Sequence, residues 1–251
     1  MKYHRDQYLL FIYQVIAHIG LLLLLIYGTW MQLLLSFVIY YVLATIGASM
    51  TYHRLLSHRS YNPPRWFEIL GSIIGALCLI GSPVSWVAMH KQHHKHSDQE
   101  LDPHSPVHHS FIHVMYLEMF SPGSLRGVSS MLRDPVQLVL HNYYFLIHVA
   151  IFATLMIINP WSVVYLYLAP VAIVWTIGNS INYFNHTSGY RNHETKDNSR
   201  NNLILAILFG GEGWHNNHHA NPGKSYLGEK WWEFDISGFL IKTFLDQPID
   251  K

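Results

Sequence analysis

Gly211-Glu212-Gly213-Trp214-His215-Asn216-Asn217-His218-His219 packs three imidazoles into five residues of an otherwise apolar chain. Read as helix, it carries His215, His218 and His219 at i, i+3 and i+4, so one face presents all three rings. Such a face can grip a metal, because neutral imidazole suits iron, zinc, copper or nickel and a cation keeps crowded rings neutral. The competing reading is a solvated, glycine-flanked polar loop. The same spacing recurs at His90, His93 and His94 in His90-Lys91-Gln92-His93-His94, and the repeat decides for metal. A third cluster, His53-Arg54-Leu55-Leu56-Ser57-His58, sets its histidines five apart, about 140° of rotation on an α-helix. Rings so splayed are expected to reach different ions, flanking a two-metal centre.

The three clusters have to meet, and the rest of the chain limits how. Half of the 251 residues are hydrophobic, 12% are charged and the net charge is +1, which leaves no basic stripe for nucleic acid. The single Cys78 offers neither an internal disulfide nor a thiolate metal site, so histidine must do any metal binding. Gln7 to His53 and Val136 to Tyr190 are free of charge, each long enough for two spans of about 20 residues. Gly28-Thr29-Trp30 and Asn159-Pro160-Trp161-Ser162 mark the turns, giving spans over about 8–28, 31–51, 136–158 and 162–185. The first run is too long for a cleaved signal peptide and is read as a retained anchor. Neither outer turn carries a positive charge, so both termini and the intervening region are expected in the cytoplasm.

Trp66 to Met89 imitates a fifth span, but Gly71, Gly75, Gly81, Ser82 and Pro83 interrupt it. If it crossed, His90, His93 and His94 would face the opposite side from His53 and His58. It is therefore read as helical pieces in the interface, packed under a cap, or re-entrant. The predicted fold is all-α: one integral membrane domain, residues 1–251, with four transmembrane helices in two hairpins. A cytoplasmic helical cap over 52–135 and 186–251 carries the metals.

Not every histidine is a ligand. His18, His141 and His148 read as structural, and His96, His104, His108, His109 and His113 as a polar or hydrogen-bonded loop. Metal-bound imidazoles usually donate their other N–H to a carboxylate, which makes Asp98, Asp102 and Glu212 candidates for that role. Arg191, Lys196, Arg200 and Lys224 could meet a phosphate, but read first as solvated cytoplasmic charge.

These motifs, in this order on a four-span chain, resemble the membrane fatty acyl desaturases, the group that includes stearoyl-CoA desaturase. Tyr52-His53-Arg54, His58-Arg59, Asp102-Pro103-His104, Gly189-Tyr190-Arg191, Asp197-x-Ser199-Arg200-Asn201-Asn202 and Trp231-Trp232-Glu233-Phe234-Asp235 extend the resemblance from about Thr51 to Asp235. The resemblance implies two irons held by His53, His58, His90, His93, His94, His186, His215, His218 and His219, with Asn182 reaching the metal site through water. His186 enters only by resemblance. It further implies dioxygen as co-substrate and a cis double bond placed in a saturated long-chain acyl group held in a tunnel. Val87, Ala88 and Met89 stand where the animal acyl-CoA branch carries an Arg-Asp pair for coenzyme A, so CoA, lipid and carrier protein stay open as acyl carriers. The same scaffold also serves hydroxylases, ketolases and alkane monooxygenases. A metal transporter fits poorly, because the spans carry no acid. No haem, iron–sulfur or flavin signature is present and little chain follows His219, so a separate ferredoxin or cytochrome b5-like donor is expected.

Overall fold

The computed structural model describes residues 2–120 and 125–246; the extreme ends of the predicted domain and residues 121–124 of its cap lie outside them. Among the described residues there is no strand, only isolated bridges joining Tyr190 to Asn201 and Asn201 to Trp214. Helix α1 spans Lys2–Tyr27 and α2 Trp30–Val42. Thr29 starts α2 with a reciprocal cap: its hydroxyl accepts from the Gln32 amide while the Gln32 side chain accepts from the Thr29 amide. Helix α2 then runs without a break into wider, π-helical turns over Leu43–Ser57.

Among the described residues three helices are long and apolar enough to cross a membrane: Arg5–Tyr27, Trp30–Ser57 and Pro160–Phe184. The third predicted span, 136–158, is not one straight helix. It is broken into α5 (Pro135–Asn142) and α6 (Tyr144–Ile158), bent by 66°. Polar ties explain the break. Asp134 caps α5, Gln137 donates to the Ser72 hydroxyl at 2.8 Å, His141 bonds the Ser82 hydroxyl at 2.7 Å, and the Tyr144 hydroxyl accepts from the Gly81 amide at 3.0 Å. These bonds commit α5 to the middle of the chain, whereas α6 beyond them leaves apolar side chains such as Leu146 and Ile157 exposed. Counted as one span, the bent pair brings the total to four.

Trp66 to Met89 becomes two helices, α3 (Arg65–Leu77) and α4 (Pro83–His96). At 13 and 14 residues each is about 20 Å long, short of a hydrocarbon core of about 30 Å. The break between them uses left-handed backbone at Leu79 and Gly81. Small residues let α3 lie directly on the π-helical turns: a Cβ at Gly75 would sit 2.3 Å from the Tyr52 ring, and one at Gly47 2.8 Å from the Gly75 nitrogen. His18 bridges α1 to the last long helix, between the Gln14 carbonyl and the Thr176 hydroxyl.

That last helix starts as α7 (Pro160–Val163), passes through π-helical turns at Val164–Leu168 and ends as α8 (Ala169–Phe184). After it come three short helices, α9 (Leu203–Leu208), α10 (His215–Ala220) and α11 (Ile236–Leu240). Because the α3 contact has no room to relax into backbone, Gly75→Val should destabilise the protein by about 1–3 kcal/mol. A drop in the thermal midpoint of the detergent-solubilised protein, with Ile73→Val as the control for a tolerated change on the same helix, checks it.

Candidate metal centre

The nine histidines implied by the resemblance gather in two groups. His53, His58, His90, His94 and His218 form one, and His93, His186, His215 and His219 the other; within each group one ring nitrogen per residue lies within 4.8 Å of all the others. The triplets do not each serve one ion, as a single gripping face would. At about 100° per residue, i and i+4 lie about 40° apart while i+3 points about 60° to the other side of i. His90 and His94 therefore stay together and His93 crosses to the second group, while His215 and His219 stay together and His218 crosses to the first. Each helix feeds both groups, and the exchange locks α4 to α10.

The first cluster also departs from expectation. His53 and His58 lie in the same group, their ring centroids 5.0 Å apart, instead of reaching different ions. The chain there is π-helical, and the His58 amide donates to the His53 carbonyl at 3.3 Å. Bonding from i to i+5 stacks residues five apart, where an α-helix would splay them.

Helix α10 has six residues and cannot stand alone. Asparagines hold it. Asn201 Oδ1 accepts from the Asn216 and Asn217 amides, Asn217 Oδ1 accepts from Asn201 and Asn192, and Asn217 Nδ2 donates to the Leu227 carbonyl and to Glu233.

Carboxylates back four of the rings. His53 Nδ1 lies 2.5 Å from Glu212, His93 Nδ1 bonds Asp102 at 3.0 Å, His186 Nδ1 bonds Asp98 at 2.9 Å and His219 Nδ1 bonds Asp197 at 2.5 Å. The first three acids are the candidates taken from the sequence. Asp197 was quoted only as part of a motif; it lies 22 residues before His219 and no periodicity connects them. Burial acts to raise the Asp98 and Glu212 carboxyls, but His186 and the Asn198 amide beside Asp98, and His53 and the Arg54 guanidinium beside Glu212, outweigh it and hold both down at about 2. Asp102 and Asp197 are held lower for the same reason. Burial, then crowding by the other rings, pushes His90, His94, His215 and His218 far down, His58 to about 2, and burial lowers His219 to about 4. All six are neutral at physiological pH.

His93 and His219 show what the arrangement is built for. Each gives its Nδ1 proton to a carboxylate, so each Nε2 carries a lone pair, and the two Nε2 atoms face each other at 3.3 Å. Two lone pairs at that distance repel unless a cation sits among them. The donor set of buried, neutral, orientated imidazoles fits a transition metal.

His104 is not in a surface loop. It is buried beside His93, ring centroids 4.4 Å apart, and forms a third potential metal-holding set with His93 and Asp102. Asn182 donates from Nδ2 to Glu118 at 3.0 Å and lines a cavity that also touches His53, His90 and His215.

A family model for fatty acid desaturases matches residues 28–228, most of the chain and every one of these histidines. The chain belongs to the fatty acid desaturase family. This desaturase is 33% identical over 233 residues to an sn-1 stearoyl-lipid 9-desaturase of Anabaena variabilis, covering 90% of this chain and 85% of the relative. It is 33% identical to an sn-2 palmitoyl-lipid 9-desaturase of Nostoc sp. (strain 36), covering 85% and 78%. An acyl-CoA 5-desaturase of Anemone leveillei is 34% identical, covering 85% and 69%. Because Asp197 fixes the His219 tautomer, Asp197→Ala in the desaturase should weaken metal binding about 10- to 100-fold. Metal content after dialysis against graded chelator checks it.

Proposed function

We propose that this protein is a di-iron acyl-lipid desaturase that places a cis double bond in a saturated chain, its own residues holding the metals and the substrate.

 Five histidines, His53, His58, His90, His94 and His218, would hold one iron, and His93, His186, His215 and His219 the other, with Asn182 reaching the centre through water. The division of nine buried rings into two converging sets, with paired lone pairs facing each other, carries this reading. Bound there, iron supplies the activation of dioxygen needed to attack an unactivated C–H bond. The balance is R–CH2–CH2–R′ + O2 + 2 e⁻ + 2 H⁺ giving R–CH=CH–R′ and two waters.

The chain's own residues supply position and dryness. Beside the histidines, Trp86, Met89, Ile80, Val174 and Trp175 form the apolar side of a cavity of about 80 Å³. Ile80, Trp86, Met89 and Trp175 also line a second cavity of about 670 Å³, so the two adjoin. The second holds Gln7, Ser85 and Asn142, and its one guanidinium, Arg5, is already paired with Asp6. Elsewhere Lys224 is paired with Glu229 and Arg191 folds back onto Thr195. Among the described residues these three cations are already engaged, which favours a membrane lipid as the acyl carrier, in keeping with the lipid 9-desaturases among the relatives. A double bond at carbon 9 follows from the same names.

In the membrane the protein would take four spans in two hairpins, the bent α5–α6 pair counting as one, with the histidine cap and both termini cytoplasmic. The two electrons would come from a separate ferredoxin or b5-type protein docking on that cap. Reporter fusions after residues 60 and 105 should read the same side; opposite sides would break the common metal site. Feeding a C18 acid deuterated at neighbouring mid-chain carbons should give lipids that have lost two deuteriums and gained a cis double bond, and His93→Ala should abolish that product. A hydroxylated acid retaining all but one deuterium as the main product would make the protein a hydroxylase. With NADPH and oxygen but no added donor protein, the purified enzyme should not turn over.

A further inference from the structure

We infer that Glu118 is a positioning residue for the desaturation, acting through the amide of Asn182. The inference rests on the reading of the nine histidines as iron ligands and adds a residue that this reading does not use. Among the described residues two acids line the cavity beside the histidines, Glu212 and Glu118. Glu212 is spent behind His53 and on Arg54. Glu118 is 5% exposed and shares the cavity wall with Val174 and Trp175 as well as with His104 and Asn182. A buried carboxylate is costly unless it is paired.

Its setting is built. Glu118 follows the π-helical turns His113–Leu117, which are clamped to α8 because Trp175 Nε1 and Asn179 Nδ2 both donate to the Met115 carbonyl at 2.8 Å. From there Glu118 Oε2 accepts from Asn182 Nδ2 at 3.0 Å and lies 3.3 Å from His104 Nδ1. His104 is 4% exposed, and neither of its ring nitrogens has a hydrogen bond among the described residues. It is held beside the carboxylate by packing against His93.

A carboxylate accepts and does not donate. It therefore forces the NH2 of Asn182 toward itself and leaves the amide oxygen facing the other way. Without Glu118 the amide could flip and offer N–H donors to the same space. Asn182 stands four residues before His186 and lines the cavity with His53, His90 and His215, so the choice between an acceptor and a donor is made beside both histidine groups. A fixed acceptor orders water at the centre. A flipping amide lets oxygen be reduced without C–H cleavage, O2 + 2 e⁻ + 2 H⁺ giving H2O2.

The full-length protein, loaded with Fe²⁺ and supplied with donor, oxygen and acyl lipid, tests this through double bonds formed per oxygen consumed. Glu118→Leu should lower that ratio about tenfold at unchanged iron content, the lost oxygen appearing as peroxide. Glu118→Gln, whose amide oxygen still accepts from Asn182, should recover more than half of the ratio. On an Asn182→Ala background Glu118→Leu should cost almost nothing more, because the two act as a unit. Independent, multiplicative losses, or an unchanged ratio in the Leu and Gln variants, would overturn the inference. If Glu118→Leu does not fold, Asn182→Asp, which sets two carboxylates face to face, should uncouple the enzyme and Glu118→Gln on top of it should restore coupling; no recovery overturns the inference. A wild-type protein that binds no iron and forms no double bond would overturn the proposed function itself, whereas an active wild type indifferent to these variants overturns only the role of Glu118.

Discussion

Glu212 joins the metal centre to the fold. One of its oxygens lies 2.5 Å from His53 Nδ1, while the other accepts from Arg54 Nε and Nη2 and from the Ser49 hydroxyl. Arg54 is 1% exposed and donates onward from Nη1 to Asp235 at 2.7 Å and to the Ser225 carbonyl at 2.8 Å. Asp235 in turn accepts from the Leu227 amide and caps α11 through the Gly238 amide. One buried guanidinium between two carboxylates thus ties the π-helical end of a long apolar helix to the C-terminal third of the chain. Removing one partner of such a buried set strands the others and costs about 3–5 kcal/mol.

The same logic repeats around the centre. Asp98, Asp102 and Asp197 each fix the Nδ1 proton of one histidine, so that Nε2 is left as an acceptor pointing inward. Asp98 also accepts from the Asn198 amide and from Ser105, and Asp197 from Ser199 and Thr195, so each acid is itself held before it orientates a ring. The loops that contribute these acids have little regular structure, and their geometry comes from such bonds.

The close approach at Gly211 makes the arrangement possible. Its backbone is left-handed at φ 101°, and a Cβ there would sit 2.1 Å from Asp235 Oδ1. Glycine is required on both counts, since it alone takes that conformation without strain and lets the acid reach the turn that presents Glu212.

The sequence alone determined the apolar helices, the turn at Gly28-Thr29 and the spacing of the two histidine triplets. Charge-free runs, caps and i, i+3, i+4 spacing are local properties, set by hydration and helix geometry, and they can be read without a partner. Tertiary structure decided how those parts are shared. The triplets split between two groups because i+3 diverges from i and i+4 once two helices face each other. His53 and His58 converge because packing against α3 accompanies π-helical winding that no residue count announces. The bend at Tyr143 comes from bonds to Ser72, Ser82 and Gly81, more than 50 residues away. Asp197 and Glu118 gain their partners only when distant loops meet over the histidines, because a hydrogen bond across 22 or 64 residues leaves no periodicity in the chain.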